Sequence, residues 1–226
     1  MSETKIALVT GANKGIGYEI AAGLGALGYR VGVGARDGAR LESAVEKLRA
    51  AGADAFGVPL EVTGDRSVTA AAELVRREAG RLDVLVNNAG ISGETGPGWV
   101  QDPTALDLDL VRRVLETNVL GVIRVTNAML PLLRLSASPR IVNVSSSVGS
   151  VTRQADPAVQ VGPVMAAYAP SKIGMLKTGS TAFMTCVIRC SSQSAVTASA
   201  DEASTCAATK RSSPSASTAL VARARS

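Results

Sequence analysis

The chain has 226 residues, 46% of them hydrophobic, which suits one domain with a substantial core, and no apolar run approaches the roughly 18 residues of a membrane span. It contains no His, which excludes Ser-His-Asp chemistry and removes the commonest metal ligand; its three cysteines, Cys186, Cys190 and Cys206, form no Cys-x-x-Cys pair, so neither a metal site nor a disulfide framework is expected. The net charge of +5 does not call for a nucleic-acid partner, since residues 1–177 carry 19 Lys and Arg against 17 Asp and Glu, and no aromatic residue follows Phe183.

In chain order, the first element is a strand-like run, Ile6-Ala7-Leu8-Val9. It is followed by Thr10-Gly11-Ala12-Asn13-Lys14-Gly15-Ile16-Gly17 and a helix-like run from Tyr18 to Leu27. Gly11 can take backbone angles closed to other residues, while Gly15 and Gly17 allow close approach to a ligand and close packing of helix on strand. The helix start would offer unpaired amides to a phosphate. The spacing is Gly-x-x-x-Gly-x-Gly, not Gly-x-Gly-x-x-Gly; alone it supports a nucleotide-binding turn and leaves open a tight turn that binds nothing. Further strands are expected at Arg30–Gly34, Ala55–Pro59, Val84–Asn87 and Arg140–Val144, with helices near 15–28, 38–51, 65–79 and 105–134. The strands are short apolar runs without strict polar alternation, as burial on both faces requires. The alternation of strand and helix predicts an α/β fold, a Rossmann-type doubly wound parallel sheet with its ligand beyond the strands' carboxyl ends.

Further along, Tyr168-Ala169-Pro170-Ser171-Lys172 places a phenol and an ammonium four residues apart, on one face of a helix. A phenol with a pKa of about 10 is a poor acid or base near neutrality, and a neighbouring cation favours its ionised form. A tunable proton donor of this kind suits reduction of a carbonyl, although a lone Tyr/Lys pair also occurs by chance on solvated helices.

Taken together, the motifs resemble the short-chain dehydrogenase/reductase family. Thr10 to Gly17 matches its glycine turn, Asn87-Asn88-Ala89-Gly90 its second signature, and Tyr168/Lys172 its catalytic pair. Asn118, in Glu116-Thr117-Asn118-Val119, falls where the family carries a helix-borne catalytic Asn. Ile141-Val142-Asn143-Val144-Ser145-Ser146 resembles the strand that delivers the catalytic Ser, with Ser146 chosen over Ser145 from the register of Ser147-Val148-Gly149.

The resemblance implies hydride transfer between a nicotinamide cofactor and a ketone or aldehyde. Tyr168 would protonate the oxygen, Ser146 would position it, and Lys172 would lower the Tyr168 pKa and hold the nicotinamide ribose. Asn118 would hold a water linking Lys172 to solvent. The expected cofactor-binding residues are Gly11, Asn13, Lys14, Gly15, Ile16, Gly17, Arg36, Glu61, Val62, Asn88, Ala89, Gly90, Tyr168 and Lys172. Enzymes using NAD usually place an acid after the second strand, where this chain has Ala35-Arg36-Asp37. Arg36 and Lys14 suit the 2′-phosphate of NADP, so NADP is expected over NAD, unless both are solvated surface charges or Asp37 neutralises Arg36. Glu61-Val62 stands where relatives have an Asp-Val pair near the adenine.

Ser146 and Tyr168 are 22 residues apart, longer than the usual family spacing of about a dozen. The implied insertion, with Gln154-Ala155-Asp156-Pro157 and Val161-Gly162-Pro163-Val164, resembles the carbonyl-reductase-like branch. The loop Ser92–Pro103, with Trp99, is expected to border a small carbonyl or alcohol substrate, with Trp99 equally suited to cover the core edge. With no signal-peptide pattern, the expectation is a cytoplasmic monomer or homodimer without membrane or nucleic-acid partners.

The division expected is a family domain over residues 1–177 and an atypical, poorly ordered segment over 178–226. That segment has 11 Ser, 7 Thr and 11 Ala among its 49 residues, and Asp201 and Glu202 are its sole acids. A disordered tail, a divergent folded end and a reading-frame shift near residues 173–180 all remain open. The abruptness of the change favours the shift, although Thr181–Arg189 could make a strand. If the last strands are missing, the chain becomes a truncated, catalytically weak nucleotide-binding protein. Under the frame-shift reading, translating the gene in its other two frames beyond Lys172 is expected to reveal a Pro-Gly turn and a strand pattern; their absence from both frames would refute it.

Overall fold

The computed structural model describes residues 4–93, 104–150, 152, 166–173 and the backbone of 184–191 and 195–200. Its strands are β1 (Ile6–Thr10), β2 (Arg30–Ala35), β3 (Ala55–Pro59), β4 (Val84–Asn87), β5 (Arg140–Ser146), β6 (Met184–Ser191) and β7 (Ala195–Ala200). They form one sheet in the order β3-β2-β1-β4-β5-β6-β7. All neighbouring pairs from β3 to β6 run parallel, and β7 returns antiparallel beside β6. The strands that the sequence left uncertain beyond Lys172 thus include β6, paired along the whole length of β5 from Arg140↔Met184 to Ser146↔Cys190.

The helices are α1 (Gly15–Ala26), α2 (Gly38–Ala50), α3 (Asp65–Ala79), α4 (Leu108–Leu115), α5 (Gly121–Leu133) and α6 (Tyr168–Ile173). Each strand alternates its side chains across the sheet, which splits the core into two layers. Ala7, Val9, Val31 and Val33 meet Ile20, Leu24, Leu41, Val45 and Leu48 of α1 and α2. On the other face, Ile6, Leu8 and Leu85 meet Val68 and Val75 of α3 and Val125, Met129 and Leu132 of α5. Among the described residues, no helix is long and apolar enough to cross a membrane.

The single helix expected over 105–134 is instead two helices joined by a π-helical turn, Glu116–Leu120, whose closing bond runs from the Gly121 amide to the Glu116 carbonyl. An extra residue in one turn re-aims the side chains around it. Asn118, inside this turn, is completely buried, whereas Leu120 remains 48% exposed. Gly121 then lies so close to β3's exit loop that a Cβ there would sit 3.0 Å from Val62 Cγ2.

At the amino-terminal end of the sheet, away from the expected ligand crevice, Asp83 is buried at 7% exposure. Its carboxylate accepts from the Ile6 amide at 2.7 Å, from the Ser136 hydroxyl, and from Arg81 Nε at 3.3 Å. A buried carboxylate is tolerable when it is paired and hydrogen-bonded in this way. Asp83→Ala, which strands the Ile6 amide, is expected to lower the unfolding free energy by about 2–4 kcal/mol in urea titrations.

Candidate active site

The parallel sheet parts its connections between β1 and β4, which sends α1 to one face and α5 to the other. The carboxyl ends of these two strands are tied by polar contacts. Thr10 Oγ1 accepts from the Asn88 and Ala89 amides, each at 3.0 Å, and donates to the Val86 carbonyl at 3.3 Å. Asn88 Nδ2 donates in return to the Thr10 and Gly11 carbonyls, at 2.9 and 3.2 Å. Asn88, expected to touch a cofactor, thus also builds the turn.

Gly11 has φ +64°, and a Cβ there would lie 2.9 Å from Ala89 Cα. At Gly17 a Cβ would come within 2.4 Å of both Asn88 Nδ2 and the Gly11 carbonyl. The glycines therefore permit the start of α1 to press onto the β1–β4 seam, as the spacing predicts. Lys14, Gly15 and Ile16 face solvent, and α1 begins at Lys14 without a side-chain cap, with φ +56° at Gly15 and open space where its Cβ would stand. An uncapped helix start with room above it fits an anionic group. Asn13 is half-buried in the same turn, and the Ala12 amide donates to Gly34 at 3.0 Å, fixing the turn to β2.

At the ends of β2 and β3, Ala35 is buried and the Arg36 side chain is 72% exposed. Asp37 does not neutralise Arg36. Its carboxylate caps α2 through the Arg40 amide and pairs with Arg40 Nε at 3.3 Å. The acid facing Arg36 is Glu61, with Oε2 3.6 Å from Nη1. Val62 is buried, and its carbonyl accepts from Arg124 Nη1 at 3.0 Å. Arg124 also donates to Asp65 and, at 2.8 Å, to Glu116, so one guanidinium joins β3's exit loop, α3 and the π-turn. Burial works against its charge, but the two carboxylates outweigh burial and raise its pKa above the ordinary value. Thr10, Val62, Ala89, Thr117, Gly121 and Val122 line a narrow cleft between these parts.

The third group lies where β4, β5, the π-turn and α6 converge. Asn118 Oδ1 accepts from the Ile91 amide at 2.8 Å, and Nδ2 donates to the Ile91 carbonyl at 2.8 Å and to Ser171 Oγ at 2.9 Å. Ser171 donates to the Tyr168 carbonyl at 2.7 Å. Lys172 is only 4% exposed; its Nζ donates to the Val144 carbonyl at 3.3 Å and lies 5.3 Å from the centre of the Tyr168 ring. Gly90 makes room here, since a Cβ would be 3.1 Å from Asn118 Oδ1 and 3.5 Å from Lys172 Nζ. Asn118, Gly90, Tyr168 and Lys172 therefore share one cluster.

Ser146 ends β5, half-buried, and its Oγ accepts from the Val148 amide at 3.4 Å, which leaves its own proton to be donated. The adjacent Ser145 faces α6 and donates to the Lys172 carbonyl at 3.3 Å. Sequence reasoning gave no structural role to Thr10, quoted only as the start of the glycine motif, to Ser171 or to Arg124. Ser171 carried a signal, its place within the Tyr/Lys pentapeptide, whereas Thr10 and Arg124 act through partners distant in the chain. Trp99 and the rest of residues 94–103, together with Gln154–Pro157 and Val161–Val164, lie outside the described residues.

A family model described as short chain dehydrogenase matches residues 5–184. The chain is 39% identical over 169 residues to short-chain dehydrogenase/reductase 1 of Saponaria officinalis, covering 66% of this chain and 55% of that protein. It is 37% identical over 177 residues to salutaridine reductase of Papaver bracteatum, covering 67% and 57%. The chain thus spans little more than half the length of these curated relatives. Among solved structures it is similar to an actinorhodin polyketide ketoreductase variant with NADPH, at TM-score 0.65 and 37% identity, over 77% of this chain and 62% of that one.

Thr10→Val keeps the shape of the side chain but removes the oxygen shared by two amides. It is expected to cost about 2 kcal/mol, seen as a thermal midpoint lowered by about 4–8 °C.

Proposed function

We propose that this chain, which belongs to the short-chain dehydrogenase family, interconverts ketones or aldehydes and alcohols with NADPH as the preferred cofactor. The observation that carries the reading is the buried Lys172 ammonium beside the Tyr168 ring, in the cluster that Asn118 and Gly90 complete. The names of a salutaridine reductase and a polyketide ketoreductase among the similar proteins support carbonyl chemistry for this chain as well.

The cofactor, when bound, supplies a hydride to the carbonyl carbon. The glycine turn at Gly11, Asn13, Lys14, Gly15, Ile16 and Gly17 would hold its phosphates, and Val62, Ala89 and Gly90 its adenosine and ribose flanks. Arg36 and Lys14 are the two cations suited to a 2′-phosphate, which favours NADP over NAD.

The Tyr168 phenol gives its proton to the substrate oxygen, and the Lys172 ammonium stabilises the charge left on the phenol. Ser146 donates to the same oxygen from a hydroxyl already fixed by the Val148 amide, so little reorganisation accompanies the reaction. Asn118 spends both amide protons on Ile91 and Ser171. Its side chain thereby fixes α6 against the β4 loop, and Asn118 would also hold the water that links Lys172 to solvent.

Tyr168→Phe removes the proton donor and leaves the ring beside Lys172. NADPH oxidation with a panel of aldehydes and ketones is expected to fall at least about 10²-fold while NADPH still quenches the protein's intrinsic fluorescence; undiminished turnover would exclude Tyr168 as the donor.

A further inference from the structure

Glu61 is held in place far more tightly than a surface ion pair needs. Its Oε1 accepts from the Thr63 hydroxyl at 3.0 Å and the Thr63 amide at 3.4 Å. Its backbone amide donates to Ser67 Oγ at 2.8 Å, and its carbonyl accepts from the Gly64 amide at 3.1 Å. These contacts hold the carboxylate from behind and leave Oε2 facing Arg36 Nη1 at 3.6 Å.

The sheet register enforces the meeting. Ala35 is paired with Pro59, and the Leu60 amide donates to the Ala35 carbonyl at 2.9 Å, so residues 36 and 61 leave adjacent strands side by side. Arg36 is 72% exposed and Glu61 37%, and a pair so open to water adds little to folding stability. Its consequence lies in the local field. A carboxylate fixed against a cation cancels part of the charge that the cation can offer to another anion, and it repels a dianion brought to the same place. The other acid nearby, Asp37, is engaged by Arg40 and the start of α2, so among the described residues Glu61 is the acid paired with Arg36.

We propose that Glu61 is a specificity-determining residue that competes with the cofactor's 2′-phosphate for Arg36 and so narrows the preference for NADP over NAD. This rests on the reading that Arg36 receives that phosphate. Glu61→Gln keeps the length of the side chain and an oxygen for Thr63 while removing the charge.

The test is binding, independent of turnover. Calorimetric titrations of the full chain would use 2′,5′-ADP, which carries the extra phosphate, and 5′-AMP, which does not. Glu61→Gln is expected to tighten 2′,5′-ADP about two- to fivefold and to change 5′-AMP by less than about twofold. Unchanged or weakened 2′,5′-ADP binding in Glu61→Gln would overturn the proposal, weakening meaning that Glu61 orients Arg36 instead of competing for it. Equal tightening of both nucleotides would also overturn it, because the effect would then not involve the phosphate. Arg36→Ala separates the two levels. If it leaves the ratio of the two affinities unchanged, the placement of the phosphate at Arg36 fails; if it collapses the ratio while Glu61→Gln has no effect, the competition alone fails.

Discussion

The seam between β1 and β4 is the constraint on which the rest of the structure depends. Where two paired parallel strands send their connections toward opposite faces, the connections part beyond the strands' carboxyl ends, and the crevice between them has to be shaped without an intervening helix or strand. Here the shaping is done by reciprocal hydrogen bonds: the Asn88 and Ala89 amides donate to Thr10 Oγ1, and the Asn88 side chain donates back to the Thr10 carbonyl. The left-handed Gly11 and the buried Gly17 then follow from lack of space. Asn87 continues the theme one residue earlier, its amide shared between Thr126 of α5 and Asn143 of β5. Polar side chains at the centre of an apolar sheet are tolerated because each is satisfied, and satisfied groups also fix register.

A second centre of organisation is Asn118. Its side chain makes bonds on three sides and thereby joins the β4 exit, the π-turn and α6. The π-turn that buries it is also where Arg124 gathers Glu116, Asp65 and the Val62 carbonyl. The narrow gap lined by Val62, Ala89 and Gly121 and the Tyr168/Lys172 cluster therefore rest on the same short stretch of chain, residues 116–124.

What could be read from the sequence was local. The glycine turn, the apolar strands and the four-residue spacing of Tyr168 and Lys172 carry their geometry within a few residues of backbone, and the corresponding elements stand at or near the expected bounds. Features set by contacts distant in the chain were not legible. The pairing of Arg36 with Glu61 depends on strand register, and a reader of Ala35-Arg36-Asp37 assigns the neighbouring Asp37 instead. The break in the long helix at Glu116–Leu120 left no proline or glycine inside the turn to announce it. The run Thr181–Arg189 offered a strand, which stands as β6, but its pairing with β5 depends on a contact distant in the chain that no local pattern announces.

The Thr10–Asn88 contacts also have a consequence in time. They close a loop of 78 residues, and a chain pays the entropy of so long a closure before any of its bonds can compensate. The glycine turn cannot preform as an isolated strand–turn–helix unit, because Gly11 and α1 are held in place by β4, a strand that emerges three strands after β1. Completion of the glycine turn and of the sheet's centre therefore arrive together as the chain folds.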